Sequence, residues 1–339
     1  MADNQESKIP PSGSKVVVED DDSATVMSVV EPLPRSQHGE DAWRERAFGD
    51  ESSFEADPPG DDRNIGNILI EAGKLTTNDV ERIVALQEKD GIFFGEAAKR
   101  LKLLGEDDIQ YALARQFNYP TVRPSDGTFG EELVTAYEPF GKQAEIFRAI
   151  RGQLCFRWLS PERKVLTVVS PGDGEGRSYV AANLAVSFSQ LGKSTLLIDA
   201  DLRTPRQHEI FGFSRRVGLS AMLSGRIKKD ELDLLPEAVP FFTRLSVLGA
   251  GAVPPNPSEL FSGERFANIL RELKRFFEVI IVDSPAGQYT ADVQALAGAA
   301  GSAVMVVRRD RTKLDSAVKL KASLQQADVE FAGSILNEF

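Results

Sequence analysis

Apolar runs and glycine-rich turns alternate along the second half of this chain. Val165–Val169, Ser194–Ile198, Leu245–Leu248, Val279–Val282, Ala303–Val307 and Phe331–Leu336 are short runs dominated by apolar, largely β-branched residues. Runs of this kind, without polar alternation, read as strands covered on both faces. Between them Tyr179–Leu191, Phe266–Phe277 and Lys313–Gln326 carry apolar residues at helical spacing. Strand and helix in alternation predict an α/β fold, a mostly parallel sheet with helices on both faces. Ligands of such sheets bind beyond the carboxyl ends of the strands.

The first half reads differently. Residues 64–119 repeat themselves at a 29-residue offset: Gly66 with Gly95, Leu75 with Leu104, Asp79 with Asp108, Val80 with Ile109, Ala85 with Ala114 and Gln87 with Gln116. Each copy reads as a short helix, a turn and a longer helix, with N-caps near Thr77 or Asn78 and Gly105–Asp107. Two such copies predict a small all-helical domain over 63–120. Pro120–Gly141, rich in proline and glycine, reads as a linker over 121–141. A helix at Lys142–Trp158 opens the third unit, 142–339, and sets Glu145, Arg148 and Arg151 along one face.

Charge sharpens the division. Residues 1–62 hold 16 acidic and 5 basic residues, which accounts for the whole chain's net charge of −11. Such a segment buries too little apolar surface to offset chain entropy and reads as a disordered acidic tail. Ala24–Val30 and Trp43–Phe48 are its only anchor-like stretches. The balanced remainder gives no reason to expect nucleic acid as a partner. One cysteine, Cys155, excludes an internal disulfide, and no run of about 18 apolar residues predicts a membrane span. A cytoplasmic location is the expectation.

Chemistry collects at the strand ends. Val165–Val169 runs into Ser170-Pro171-Gly172-Asp173-Gly174-Glu175-Gly176-Arg177-Ser178-Tyr179 and then a helix. Strand, glycine loop and helix form a phosphate cradle: backbone N–H groups close on phosphate oxygens at a positive helix end. Gly172, Gly174, Glu175, Gly176, Arg177, Ser178 and Tyr179 are the candidate nucleotide contacts. Arg177 stands where the pattern asks for lysine. Ser178 is the candidate Mg²⁺ ligand, since its hydroxyl would face the phosphates. After the second strand come Asp199-Ala200-Asp201, and after a later one Asp283. Carboxylates there suit a hard cation that keeps some of its waters. Asn337 ends the last strand, where its amide can read an adenine edge with donor and acceptor together.

Glycine loop, Asp-x-Asp and strand-Asp in this order resemble the bacterial tyrosine kinases of capsule and exopolysaccharide synthesis, within them the EpsG-type chain-length-determinant kinases. Asp199–Arg203 resembles that family's second Walker A motif, and Ile280–Pro285 its Walker B motif. Gly251–Leu260 resembles a further family signature. The resemblance spans roughly 140–337 and implies a P-loop NTPase-like fold. It also implies ATP and Mg²⁺ as cofactors and autophosphorylation on tyrosine. Arg177, Asp199, Asp201 and Asp283 would be catalytic, with Asp199 the base, and Ser178, Asp201 and Asp283 would hold the metal. Glu145, Arg148 and Arg151 resemble a subunit-interface motif, which implies a homo-oligomer. A transmembrane activator would hold the chain at the inner membrane. The helical unit resembles the N-terminal domain of type II secretion and pilus-assembly ATPases. Some of those modules bind cyclic di-GMP through Arg-Leu-Gly triplets. The matching triplets here, Asn64-Ile65-Gly66 and Phe93-Phe94-Gly95, lack the arginine, so cyclic di-GMP is not expected.

Two other readings stay open at this point. Arg177 and the lack of a tyrosine cluster beside Phe339 suit a nucleotide-binding regulatory subunit. A partitioning ATPase of the same superclass is disfavoured, since Pro171–Glu175 carries no second lysine.

Overall fold

The computed structural model describes residues 27–29, 64–117, 119–122, 129–213, 217–226 and 236–338. The expected acidic tail lies outside them except for Met27–Val29, a short strand, β1. The helical repeat comes next: α1 (Ile65–Glu71), α2 (Thr77–Asp90), α3 (Phe94–Arg100) and α4 (Glu106–Gln116). The two copies interleave, α1 packing on α4 and α2 on α3. Repeat glycines sit where helices touch. A Cβ on Gly66 would come within 3.0 Å of Val80, and one on Gly95 within 3.2 Å of Ile109. Those four residues are two repeat-related pairs, so the 29-residue offset is a packing symmetry. The longer helix of the first copy is capped by Thr76, one residue before the expected cap. Thr76 and Asp79 form a reciprocal capping box.

Within the expected linker, the described residues 121–122 and 129–141 are packed against the rest of the protein. They carry α5 (Val134–Tyr137) and bury Val122, Phe129, Leu133 and Ala136 in the main core. The tie is specific: Asn183 accepts from the N–H and hydroxyl of Thr135 and donates to the carbonyls of Glu132 and Tyr179. α6 (Lys142–Arg157) follows and packs on α7 (Arg177–Gln190), which starts directly after the glycine loop. α7 lies between α6 and the sheet, which explains why it is apolar nearly all round.

The sheet is built from β2 (Val165–Val169), β3 (Thr195–Asp199), β4 (Glu237–Ala238), β5 (Leu245–Leu248), β6 (Val279–Asp283), β7 (Ser302–Arg308) and β8 (Glu330–Asn337), with β1 at one edge. Its order is β1-β8-β7-β2-β6-β3-β5-β4. Pairing is parallel except at the two edges, where β1 and β4 run antiparallel to their neighbours. Short helices α8 (Gln207–Ile210), α9 (Leu219–Leu223) and α10 (Pro257–Phe261) edge the sheet; α11 (Arg265–Leu273), α12 (Thr290–Ala300) and α13 (Leu314–Gln326) cover its second face. Successive residues of β2 point to opposite faces, as a strand requires. Leu166 and Val168 join the core beneath α7, and Val165 and Val169 join the cores on the other side. No helix among the described residues is long and apolar enough to cross a membrane.

Asn183 satisfies four groups at once, so its loss strands buried donors and acceptors. Asn183→Ala is expected to cost roughly 3 kcal/mol, read as a lower melting temperature, and to open residues 121–141 to limited proteolysis. Unchanged melting and cleavage would show that this segment is only loosely held.

Candidate active site

Parallel pairing brings the candidate residues to one edge. β2 lies between β7 and β6, and β6 pairs with β3, so the ends of all four strands share the same side of the sheet. Asp199 on β3 and Asp283 on β6 are register partners. The glycine loop leaves β2 beside them. Gly174 (φ 69°) and Gly176 (φ 95°) take left-handed backbone that favours glycine.

Arg177 is buried in this loop. Its Nε donates to the Ser284 carbonyl (2.9 Å), and its Nη1 donates to Ser170 Oγ (2.6 Å) and the Gly172 carbonyl (2.8 Å). Nη2 lies 3.6 Å from Asp201 Oδ2 and 3.9 Å from Asp173 Oδ1. The guanidinium therefore bridges the loop and the turn after β6. One of its three nitrogens faces the carboxylates.

Asp199 and Asp283 are both 0% exposed. Asp199 Oδ2 accepts the N–H groups of Arg206 (3.1 Å) and Gln207 (3.0 Å). Asp283 Oδ2 accepts from Gln207 Nε2 (2.8 Å), which also donates to the Ser178 carbonyl (3.1 Å) and so sets Ser178 beside this carboxylate. The Oδ1 atoms of both residues are buried without a partner. Burial first, and then the Asp283 and Asp201 charges, hold the Asp199 carboxyl well above its ordinary range. Burial also pushes Asp283 up to about 6, against the pull of Arg177, Gln207 and Ser178. Asp201 differs. Its Oδ1 accepts the N–H groups of Arg203 (3.1 Å) and Thr204 (2.9 Å), and its Oδ2 accepts the Thr204 hydroxyl (2.9 Å).

Ser178, Asp199, Asp201, Asp283 and Arg177 thus converge as expected, and other candidates need correction. Gly172 is on the loop, but its N–H donates to the Glu175 carboxylate (2.9 Å). That side chain folds into the protein and also accepts from Thr312 Oγ1 (2.6 Å), so Glu175 offers a ligand only its backbone. Tyr179 turns away. Its ring meets Phe147 edge-on at 5.7 Å and its hydroxyl donates to Gln143 (3.4 Å), because one residue of helix rotates it from the loop toward α6. Burial pushes its phenol up. Asn337 is buried beside the loop, and one N–H of its Nδ2 donates to the Glu175 carbonyl (3.1 Å). Its Oδ1 has no partner and is available to read a base. Away from the site, the α6 stripe is partly tied down. Arg148 bonds Glu145 and the Pro139 carbonyl, and Arg151 donates to the Ser187 carbonyl of α7 (2.7 Å). Sequence reading missed Gln207, which lies between the two carboxylates. It also missed Arg308, Arg311 and Thr312, which lie over the loop; their spacing matches no motif.

Whether the site fits a nucleotide and a divalent cation can be tested on the donor set. Two orphaned carboxylate oxygens and a serine hydroxyl, all beside a glycine loop, are the oxygen donors that Mg²⁺ prefers. Among the described residues no group of three His, Cys, Asp or Glu side chains could hold a metal unaided. A cation here would complete its shell with phosphate and water.

No family model matches the chain. Known relatives are nevertheless clear. Tyrosine-protein kinase YwqD of Bacillus subtilis is 35% identical over 205 residues, which is 60% of this chain and 85% of that protein. Tyrosine-protein kinase CpsD of Streptococcus agalactiae is 36% identical over 199 residues, 58% of this chain and 84% of the relative. Among solved structures, the kinase domain of the Escherichia coli tyrosine kinase ETK superposes with a TM-score of 0.57 at 28% identity, covering 61% of this chain and 79% of that one. The chimerical protein CapA2B2 superposes with a TM-score of 0.56 at 28% identity, covering 67% and 97%. The fold and site define a P-loop-type α/β protein. The chain belongs to the bacterial tyrosine-protein kinase family.

The raised Asp283 makes a pH prediction. Folding lifts its pKa from the ordinary 3.8 to about 6. Its contribution to stability is therefore fully present below its ordinary pKa and is lost as pH rises through 6. Asp283→Asn removes the charge, so ligand-free Asp283→Asn is expected to be more stable than wild type above pH 7. The expected margin is up to about 3 kcal/mol. Melting curves against pH should show the gap closing toward about pH 4. A gap independent of pH would contradict the assignment.

Proposed function

We propose that this chain binds MgATP at Pro171–Ser178 and transfers the terminal phosphoryl group to tyrosine, in the control of exopolysaccharide chain length and export. One observation carries the reading: the glycine loop meets two buried carboxylates, each with an oxygen that no protein group satisfies. Backbone N–H groups around Gly174 and Gly176, with the start of α7, would hold the phosphates. Ser178, Asp201 and Asp283 would hold Mg²⁺; bound there, the ion would neutralise charge on the phosphates and fix their geometry. Asp199 is the base for the tyrosine hydroxyl. Its raised pKa suits it to take the proton, and the Arg206 and Gln207 N–H groups aim its free oxygen. Asn337 Oδ1 would accept from the adenine amino group.

The wider reading is the EpsG-type arrangement: an acidic tail over 1–62, a helical docking unit over 63–120 and a kinase unit from about residue 121 onward. Asn64 and Phe93 are N-cap residues of α1 and α3 at the places where the secretion-ATPase modules carry arginine. Phe93 is 85% exposed, which suits a protein partner better than cyclic di-GMP. A transmembrane chain-length-determinant protein would hold the chain at the inner membrane. Glu145, the most exposed member of the α6 stripe, would reach a neighbouring copy.

A second reading has its own support. Two of the three Arg177 nitrogens are held by the protein, and phosphoryl transfer depends on positioning. That favours a regulatory subunit that binds nucleotide and transfers nothing. Incubation with γ-labelled ATP and Mg²⁺, read as phosphotyrosine, separates the two. The kinase reading expects label in wild type and a loss of roughly 100-fold or more in Asp199→Asn, with MgATP still bound. Label in Arg177→Lys alone would establish the regulatory reading.

A further inference from the structure

The loop after β7 closes over the glycine loop. Within Arg308–Lys313 stand four cations, Arg308, Arg309, Arg311 and Lys313, against one acid, Asp310. The turn is built rather than loose. Thr312 Oγ1 accepts the Arg308 N–H (2.8 Å) and donates to Glu175 (2.6 Å), and Asp310 adopts a left-handed φ of 56°. Two guanidiniums reach Gly174. Arg308 Nη1 donates to its carbonyl (3.1 Å). Arg311 lies across its Cα: a Cβ there would stand 3.0 Å from Nη2 and 3.3 Å from both Cζ and Nη1. The end of the guanidinium therefore lies against the loop at Gly174. A side chain at this position would displace it, and the left-handed φ of 69° also favours glycine.

The partners of these cations differ. Arg309 pairs with Glu338 (2.7 Å). Arg177 is bonded into the loop. The Arg311 guanidinium is exposed and makes no hydrogen bond or ion pair with any described residue. Its planar fork of donors matches phosphate oxygens.

We propose that Arg308, Arg311 and Thr312 form a phosphate clamp in which Arg311 contacts the polyphosphate of a bound nucleoside di- or triphosphate. This inference rests on the reading that the glycine loop binds nucleotide. Arg177 then organises the loop from within, and Arg311 supplies the outer charge. Arg308 and Thr312 are positioning residues that carry it there.

Calorimetry on the full chain tests it, with MgADP, MgATP and adenosine as probes. Arg311→Ala is expected to weaken MgADP and MgATP about tenfold, to flatten the salt dependence of binding and to leave weak adenosine binding unchanged. Arg311→Lys should recover part of the loss. Arg309→Ala should bind both nucleotides as wild type does, and Arg311→Ala should melt at the wild-type temperature without ligand, since the side chain is exposed. Wild-type binding with full affinity in Arg311→Ala would overturn the clamp alone. Wild type that binds no nucleotide would overturn the nucleotide site, and the clamp with it.

Discussion

Two carboxylates held side by side out of water are the constraint that the site is built on. Asp199 and Asp283 face each other across neighbouring strands, fully buried, each with one unsatisfied oxygen. Like charges in a medium of low dielectric repel strongly, and desolvation penalises each one separately. The fold answers with donors aimed at the remaining oxygens. The first N–H groups at α8 hold Asp199, and the Gln207 amide holds Asp283. One oxygen of each carboxylate is left without a partner among the described residues.

Arg177 has to be understood within that electrostatic setting. A lysine at this position would carry a compact charge on a flexible stem. The guanidinium instead spends Nε and Nη1 on the acceptors that join the loop to the turn after β6. It thereby lowers Asp283 against burial and fixes the loop that bends around it. Its bonds to the loop and its charge toward Asp201 and Asp173 are carried by different nitrogens of one group. A second guanidinium, Arg311, lies outside the same loop.

Much of this architecture is legible in the sequence, for physical reasons. Parallel strands covered on both faces must be continuously apolar, so Val165–Val169 and Leu245–Leu248 appear in the sequence with the bounds they have in the fold. Asp199, Asp283 and Asn337 extend their strands by one residue, because a polar group can end a ladder as well as follow it. The helical repeat is visible because Gly66 and Gly95 meet the paired residues Val80 and Ile109. What fails is tertiary. Residues 121–141 have no period, and the Thr135 to Asn183 bonds span 48 positions. Tyr179 neighbours Ser178 in sequence and points elsewhere in space. Gln207 and Arg311 look like ordinary surface residues until the strand order brings them to the loop.

The central claim is that Asp283, with Asp201 and Ser178, receives a magnesium ion together with a nucleotide. Calorimetric titration of the full chain with ATP, in Mg²⁺ and in a chelator, tests it directly. The account predicts that Mg²⁺ strengthens binding by about tenfold or more in wild type, and that Asp283→Asn loses most of that gain. Equal affinity with and without Mg²⁺ in wild type, or no binding under either condition, would contradict it.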